Sequence, residues 1–383
     1  MNYYIIAGEA SGDLHGSNLI RELRKLDAQA RIRCWGGDLM QEAGGELVKH
    51  YKDLAFMGFT EVVKNLPTIF KNLRFCKKDI LSFAPDALVL IDYPGFNLRI
   101  AQWAKRIGLT VIYYISPQVW AWKESRVKTI KESVDKMLVI LPFEKEFYHK
   151  WNFEVEYVGH PLVEVIDSFK QNHKDTDLLL PDRSGNQAKI VALLPGSRKQ
   201  EIEKKLPYMI EVSKKFPTEH FVVAEAPGLD HAFYEDLLSN YPNVSSIQNK
   251  TYDLLMRADA ACVTSGTATL ETALFGVPEV ICYKGSSISY QIAKRLIKVK
   301  WISLVNLIMN KTVVTELIQD DLTVERLYKE LHELLTNTNR RNQLSEEYEQ
   351  LKHLLTQGGH ASANAAKSIV NFLAASASSK TRS

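Results

Sequence analysis

Three carboxylates follow apolar runs in the first third of this chain. Glu9 and Asp13 stand in IIAGEASGDLHG, residues 5–16, and Asp92 closes ALVLID just before a Pro-Gly turn. A carboxylate placed directly after a buried strand either caps the next turn or serves as a general base. The first loop carries Gly8, Gly12 and Gly16, as a phosphate loop would, yet Glu9 and Asp13 repel phosphate. Such a loop suits hydroxyl groups, whose protons carboxylates accept. Asp92 is therefore the candidate base, with Glu9 and Asp13 as further catalytic candidates and Ser11 and Gly12 as acceptor contacts. His15 is a rival base, but one to two turns into a helix a histidine more often packs. ISPQVWAW, residues 115–122, adds Gln118, Trp120 and Trp122 after another apolar run. Gln118 and Trp120 are assigned to acceptor binding, with one of the two indoles expected in the core.

The second half carries a different chemistry. In LLPGSRKQEIEKKLP, residues 193–207, Ser197 and Gln200 have the spacing of a capping box, which predicts a helix from Arg198. The free N–H groups of a helix start attract an anion, and Arg198 adds a bidentate cation beside Gly196 and Ser197. The bland alternative is an ordinary capped helix with a surface arginine. A second turn, TSGTATLETALFGVP at 264–278, offers Ser265, Gly266 and Thr267 for close approach. Glu271, about one turn in, suits a ribose diol, and Gly276 and Pro278 end the helix. The two turns together point to a nucleoside diphosphate. Neither matches G-x-x-x-x-G-K-[ST], which argues against ATP hydrolysis.

Elements that hold such residues at strand ends belong to an α/β fold. Apolar runs at Tyr3–Ala7, Ile32–Trp35, Ala87–Ile91, Thr110–Ile115 and Met137–Leu141 alternate with amphipathic segments. The pattern resumes at Ile190–Leu194, Phe221–Ala224, Ala260–Val263 and Val280–Tyr283. Runs without alternation, separated by helices, indicate parallel sheets covered on both faces, which bind ligands beyond the carboxyl ends of their strands. The expected organisation is a domain over 1–168, a polar linker at 169–188 and a second domain over 189–345. A C-terminal helix at 346–373 would cross back to the first domain, and 374–383 would form a loose tail. The formal net charge of +3 argues against a nucleic-acid partner. The four cysteines lie far apart and suggest neither zinc nor disulfides, hence a reduced, cytoplasmic setting. The N-terminus reads as a first strand rather than a signal peptide, and no apolar run is long enough to span a bilayer.

Residues 56–80, FMGFTEVVKNLPTIFKNLRFCKKDI, break that pattern. Phe59, Val62, Val63 and Leu66 follow helical spacing, as do Leu66, Ile69, Phe70 and Leu73. Lys71 and Arg74 belong to a basic excess over the same stretch. A basic amphipathic segment with bulky apolar groups can lie in a membrane interface, although such a stripe is as often the core face of a helix. AKRLIKVKW at 293–301 is a second basic segment that could meet anionic lipid or an acceptor phosphate.

As a set, AGEASGD, FMGFTEV, IDYPGFN, ISPQVWAW, LPFEKEFY, VGHPL, LLPGSR, SGTATLE, AKRLIK and SLVNLI occur in the order found in lipid-A-disaccharide synthases. The resemblance covers roughly residues 3–320. It implies a GT-B glycosyltransferase: two Rossmann-like, doubly wound domains with a cleft between them, acceptor in the first and donor in the second. The implied reaction joins UDP-2,3-diacylglucosamine to 2,3-diacylglucosamine 1-phosphate, giving a β-1,6-linked disaccharide 1-phosphate and UDP with anomeric inversion. No cofactor and no metal are implied, and the protein would sit peripherally on the cytoplasmic face of the inner membrane, with a homodimer possible. Asp92 matches the family's catalytic aspartate, Arg198 and Glu271 its donor-domain arginine and glutamate, and Asn306 the asparagine of its NLL-type motif. The chain departs from the family at Gly95, often acidic there, and at LIMNKTVV, which replaces an AGR turn. Three alternatives stand beside this: a UDP-sugar epimerase, a membrane-recruited nucleotide-sugar sensor without activity and, more weakly, a nicotinamide dehydrogenase.

Overall fold

The computed structural model describes residues 1–53, 66–122, 124–173, 188–264, 266–285 and 299–380. The chain forms two compact units, Met1–Pro161 with Leu355–Ser383, and Leu162–Leu354.

The first unit is built on a parallel sheet of order β3-β2-β1-β4-β5-β6-β7. Its strands are β1 (Asn2–Ala7), β2 (Arg31–Gly36), β3 (Glu46–His50), β4 (Ala87–Ile91), β5 (Thr110–Tyr114), β6 (Lys136–Val139) and β7 (Glu156–Tyr157). Burial of both sheet faces explains the unbroken apolar runs. Tyr4 and Ile6 of β1 enter one core with Leu73, Phe96, Val127 and Tyr148. Tyr3, Ile5 and Ala7 enter the other with Leu19, Ile20, Ala366 and Ile369. The helix Ala10–Leu26 and the C-terminal helix Ala361–Lys380 thus cover one face. The C-terminal helix continues through Lys380, where a loose tail from 374 was expected. The reason is composition: alanine has the highest helix propensity, and AASASS carries no residue that breaks a helix.

The second unit repeats the plan with the order β10-β9-β8-β11-β12-β13. The strands are β8 (Ile190–Leu194), β9 (His220–Ala224), β10 (Val244–Ile247), β11 (Ala260–Val263), β12 (Glu279–Tyr283) and β13 (Thr315–Ile318). The helix Pro161–Asn172 groups with this unit rather than with the first, as its contacts explain. Phe169 packs edge-on against Tyr252 and Phe275, and Lys170 donates to the Leu274 carbonyl at 2.9 Å. The helix Thr338–Thr356 likewise stays with the second unit as far as Leu354, later than the expected return at 346. Most of the expected linker, residues 174–187, lies outside the described residues.

In both sheets the strand order reverses beside the first strand, between β1 and β4 and between β8 and β11. Crevices at such switch points are where doubly wound sheets bind ligands.

Candidate functional site

The first switch point gathers the carboxylates. Ala7 pairs with Ile91, so the loops after β1 and β4 leave the sheet side by side. Asp92 and Tyr93 both adopt left-handed backbone, with φ of 43° and 49°. Two such residues in a row cost roughly 1–3 kcal/mol each and need external support. Fully buried Asn97 provides it, its Nδ2 donating to the Asp92 carbonyl at 2.8 Å, and Tyr113 Oη donates to the same oxygen at 2.6 Å. The turn lays the Tyr93 ring on Gly8, where a Cβ would come within 2.3 Å of it. Gly8 is thus required by an aromatic ring, which accounts for that glycine without a phosphate.

Burial pushes the Asp92 carboxyl up from 3.8 to about 6, the neighbouring charge of Glu9 adds to this, and the Tyr93 N–H opposes it. A carboxyl raised to about 6 is still ionised at neutral pH and holds a proton more tightly than an ordinary carboxylate. Half-buried His15 is driven down to about 4 by desolvation, with no hydrogen-bond partner for Nδ1 among the described residues. It is the weaker base of the two. Glu9, Ser11 and Gln118 are exposed.

Three expected site residues have other work. The Asp13 carboxylate accepts from the backbone N–H of Gly37 at 2.7 Å, Leu39 at 3.2 Å and Met40 at 3.0 Å, capping the helix Asp38–Glu42. Three of its roughly four lone-pair sites are taken by that helix start, which gives this buried carboxylate a structural task. Gly12 faces β1, with room for a Cβ only 3.0 Å from that of Ala7, so it serves helix-to-sheet packing rather than an acceptor. Trp120 is buried edge-to-face on Phe143, ring centroids 5.0 Å apart, and so is closed to a sugar. The Trp122 side chain lies outside the described residues.

At the second switch point Leu194 pairs with Val263, setting the PGSR and TSGT turns side by side. The helix after β8 runs Lys199–Glu211 with Arg198 as its N-cap, one residue later than the capping-box spacing predicts, and the Arg198 side chain makes no capping hydrogen bond. Its first N–H groups are left for an anion. Among the described residues, exposed Arg198 makes only a loose 3.7 Å ion pair with Glu201, which leaves its guanidinium uncommitted to them. Gly196 and Ser197 form the turn before it. Gly266 and Thr267 open the helix Thr267–Phe275; Ser265 lies outside the described residues. Glu271 accepts from Tyr252 Oη at 2.7 Å, and burial raises its pKa against that hydrogen bond. A carboxylate has about four lone-pair sites, so capacity for a diol remains.

Asn306 is a correction. It is fully buried, and its amide is saturated: Nδ2 donates to Val314 O and Glu316 Oε1, both at 2.9 Å, and Oδ1 accepts from the N–H of Val313 at 2.7 Å and of Val314 at 3.0 Å. No hydrogen-bonding capacity is left for a donor. Asn306→Ala should therefore destabilise the fold by about 3 kcal/mol or more, because several buried groups lose their partners together. Thermal unfolding should shift down by roughly 6–12 °C while the Kd for UDP stays unchanged. A variant with a normal melting point and lost UDP binding would restore Asn306 to the ligand.

The basic segment is divided by its own helix. Leu66–Phe83 buries Leu73, Cys76, Ile80 and Phe83 in the core, with Ile69 packed against them. Ile69 and Leu73 are thus core residues, not membrane-facing ones. The exposed face carries Phe70 (63%) and Leu81 (61%), with Phe75 at 47% and exposed Lys71, Arg74 and Lys78. Phe59, Val62 and Val63, the Leu66 side chain and most of the second basic segment lie outside the described residues. No described helix is long and apolar enough to cross a membrane, and no described cluster of His, Cys, Asp or Glu could hold a metal ion.

Sequence reasoning missed Asn97, Tyr113 and Tyr252, which support the site from behind. Asn97 lies within IDYPGFN and could have been found there. The two tyrosines reach the site only through tertiary structure.

Known proteins resemble the chain at two levels. Among solved structures, UDP-GlcNAc 2-epimerase from Neisseria meningitidis bound to UDP-GlcNAc matches with a TM-score of 0.66 at 13% identity, over 97% of this chain and 99% of that one. The glycotransferase of kitacinnamycin matches with a TM-score of 0.66 at 16% identity, over 97% and 98%. These likenesses concern the fold, an α/β two-domain GT-B architecture. In sequence, the lipid-A-disaccharide synthase of Syntrophus aciditrophicus is 42% identical over 364 residues, 93% of this chain and 94% of its own. The lipid-A-disaccharide synthetase family matches residues 3–370, and with that coverage the chain belongs to the lipid-A-disaccharide synthase family.

Proposed function

We propose that Asp92 is the general base of lipid A disaccharide synthesis in this chain, and that the Arg198 and Glu271 turns hold its UDP-sugar donor. The supporting observation is the Asp92 carboxyl, half-buried on a strained turn at a switch point and raised to about 6. The acceptor, 2,3-diacylglucosamine 1-phosphate, would bind at the first unit with Glu9, Ser11 and Gln118 nearby. Asp92 takes the proton of its 6-hydroxyl as the oxygen attacks the anomeric carbon of UDP-2,3-diacylglucosamine from the face opposite UDP. Arg198 and the two helix starts meet the charge growing on the departing diphosphate, fixed in place before it develops. The exposed face of Leu66–Phe83 would rest on the cytoplasmic face of the inner membrane, where diacylated substrates reside. A homodimer is compatible with this scheme but not required by it.

The deciding experiment supplies both lipid substrates and follows UDP release together with a disaccharide 1-phosphate. An epimerase would instead convert UDP-N-acetylglucosamine without any acceptor, and a sensor would bind UDP with no product. Binding separates the two donor turns. Arg198→Ala should weaken UDP by about tenfold, as expected for loss of a charge-assisted contact, and leave uridine nearly unaffected. Glu271→Ala should weaken UDP and uridine alike. Equal losses for both ligands in both variants would refute these roles.

A further inference from the structure

Lys205 is an unusual residue for its position. It lies on the helix Lys199–Glu211 that starts at the donor turn, yet its exposure is only 2%. Burying an ammonium is costly unless its donors are used. Here Nζ donates to Thr264 Oγ1 at 2.5 Å, its one hydrogen bond among the described residues. The Glu201 carboxylate stands 3.8 Å away, an ion pair too long for a hydrogen bond, and the Tyr283 ring centroid is 5.7 Å away. Burial lowers the pKa of Lys205, so the site taxes its charge.

Thr264 follows β11 directly and is itself buried, at 6%. A Cβ on Gly196 would lie 3.5 Å from its Cγ2, so the threonine sits against the PGSR turn. A lysine can only donate, which fixes the Thr264 oxygen as the acceptor of that bond. The threonine proton must then point elsewhere, and among the described residues nothing accepts it. A hydroxyl that accepts from a cation is a strengthened donor, and this one stands directly after β11 at the switch point.

We propose that Thr264 donates a hydrogen bond to the diphosphate of the donor and that Lys205 is its positioning residue, orienting and polarising that hydroxyl from beneath the turn. Lys205 supplies a fixed charge from inside the fold, whereas Arg198 approaches from solvent. This rests on the assignment of the nucleotide to the second unit.

The test is calorimetric titration of the full chain with UDP and with uridine. Thr264→Val and Lys205→Met should each weaken UDP by about tenfold or more, as for loss of a charge-assisted hydrogen bond, and change uridine less than twofold. The double variant should be no weaker than either single one, because the two residues act as a unit. Thr264→Ser, which keeps the hydroxyl, should bind UDP as the wild type does. Lys205→Met should melt no earlier than the wild type, since an apolar isostere relieves a buried charge. Unchanged UDP affinity in either single variant, additive losses, equal uridine losses or failure of the serine to rescue would each overturn the proposal. Should Lys205→Met fail to fold, the contrast of valine with serine at 264 still decides. Wild-type protein that binds no UDP would instead remove the donor-site assignment itself.

Discussion

Asp92→Asn should lower kcat by about 100-fold or more, the range typical of a positioned general base, while raising the melting temperature at pH 7–8. Asparagine is the informative replacement because it tolerates the left-handed backbone held at this position. The sign of the stability effect follows from linkage. In the fold the carboxyl titrates near 6 rather than 3.8, so the folded state favours its protonated form. Stability from that group is present below its ordinary pKa and lost as pH rises through about 6. At pH 7–8 the ionised, half-buried carboxylate therefore destabilises the wild type by about 1–3 kcal/mol, and the neutral amide does not. The gain in melting temperature should vanish near pH 4. Wild-type kcat/KM should rise between pH 5 and 7 along the same titration, and Glu9→Gln should move that limb to lower pH by removing a neighbouring charge. A variant that is inactive and also melts early at neutral pH would reduce Asp92 to a structural residue.

That aspartate was legible in the sequence because a central strand announces its own end. ALVLI is buried on both sides, and the first polar residue after it has to be at the switch point. The strands that escaped notice are β3, β7, β10 and β13, and each is the edge of its sheet. ELVKH and TELI mix charged with apolar residues because an edge strand needs less apolar cover, so they produce no run to read. The same logic explains the site residues that were misassigned. Asp13 and Asn306 have the chemistry of ligand contacts, but Asp13 is taken by backbone groups 24–27 residues away, and Asn306 by backbone at 313–314 together with the Glu316 carboxylate. A polar side chain that pins a turn looks like one that binds a substrate until its hydrogen bonds are counted. Lys205 is the converse case, since an amphipathic helix rich in lysine gives no sign of which one turns inward.

The face of Leu66–Phe83 that remains exposed carries the second large expectation. Successive residues of a helix are 100° apart, which puts Phe70, Lys71, Arg74, Phe75, Lys78 and Leu81 on one arc and the core residues Leu73, Cys76 and Ile80 on the opposite side. That arc contains no acid; Asp79 lies off it, accepting from Tyr4 Oη at 2.7 Å and pairing with Arg33 at 3.1 Å. A lone exposed apolar residue is ordinary, whereas bulky ones interleaved with cations suit an anionic bilayer surface. Burying an aromatic or leucine side chain in the interface contributes about 1.5–3 kcal/mol, and each nearby cation adds about 1 kcal/mol that salt screens. Phe70→Ser with Leu81→Ser should thus lower partitioning onto anionic vesicles by about 100-fold or more, with activity on bilayer substrate falling in parallel. Activity on short-chain substrate in detergent should persist, and the melting temperature should hold because neither side chain enters the core. Raising the salt should weaken wild-type binding without abolishing it, as the apolar contribution is unscreened. Phe75 is a poorer probe, since its ring lies 6.0 Å from that of Trp35 and its loss would disturb packing. Vesicle binding unchanged in the double serine variant would assign this face to something other than lipid, and damage equal on both substrates would return it to the fold.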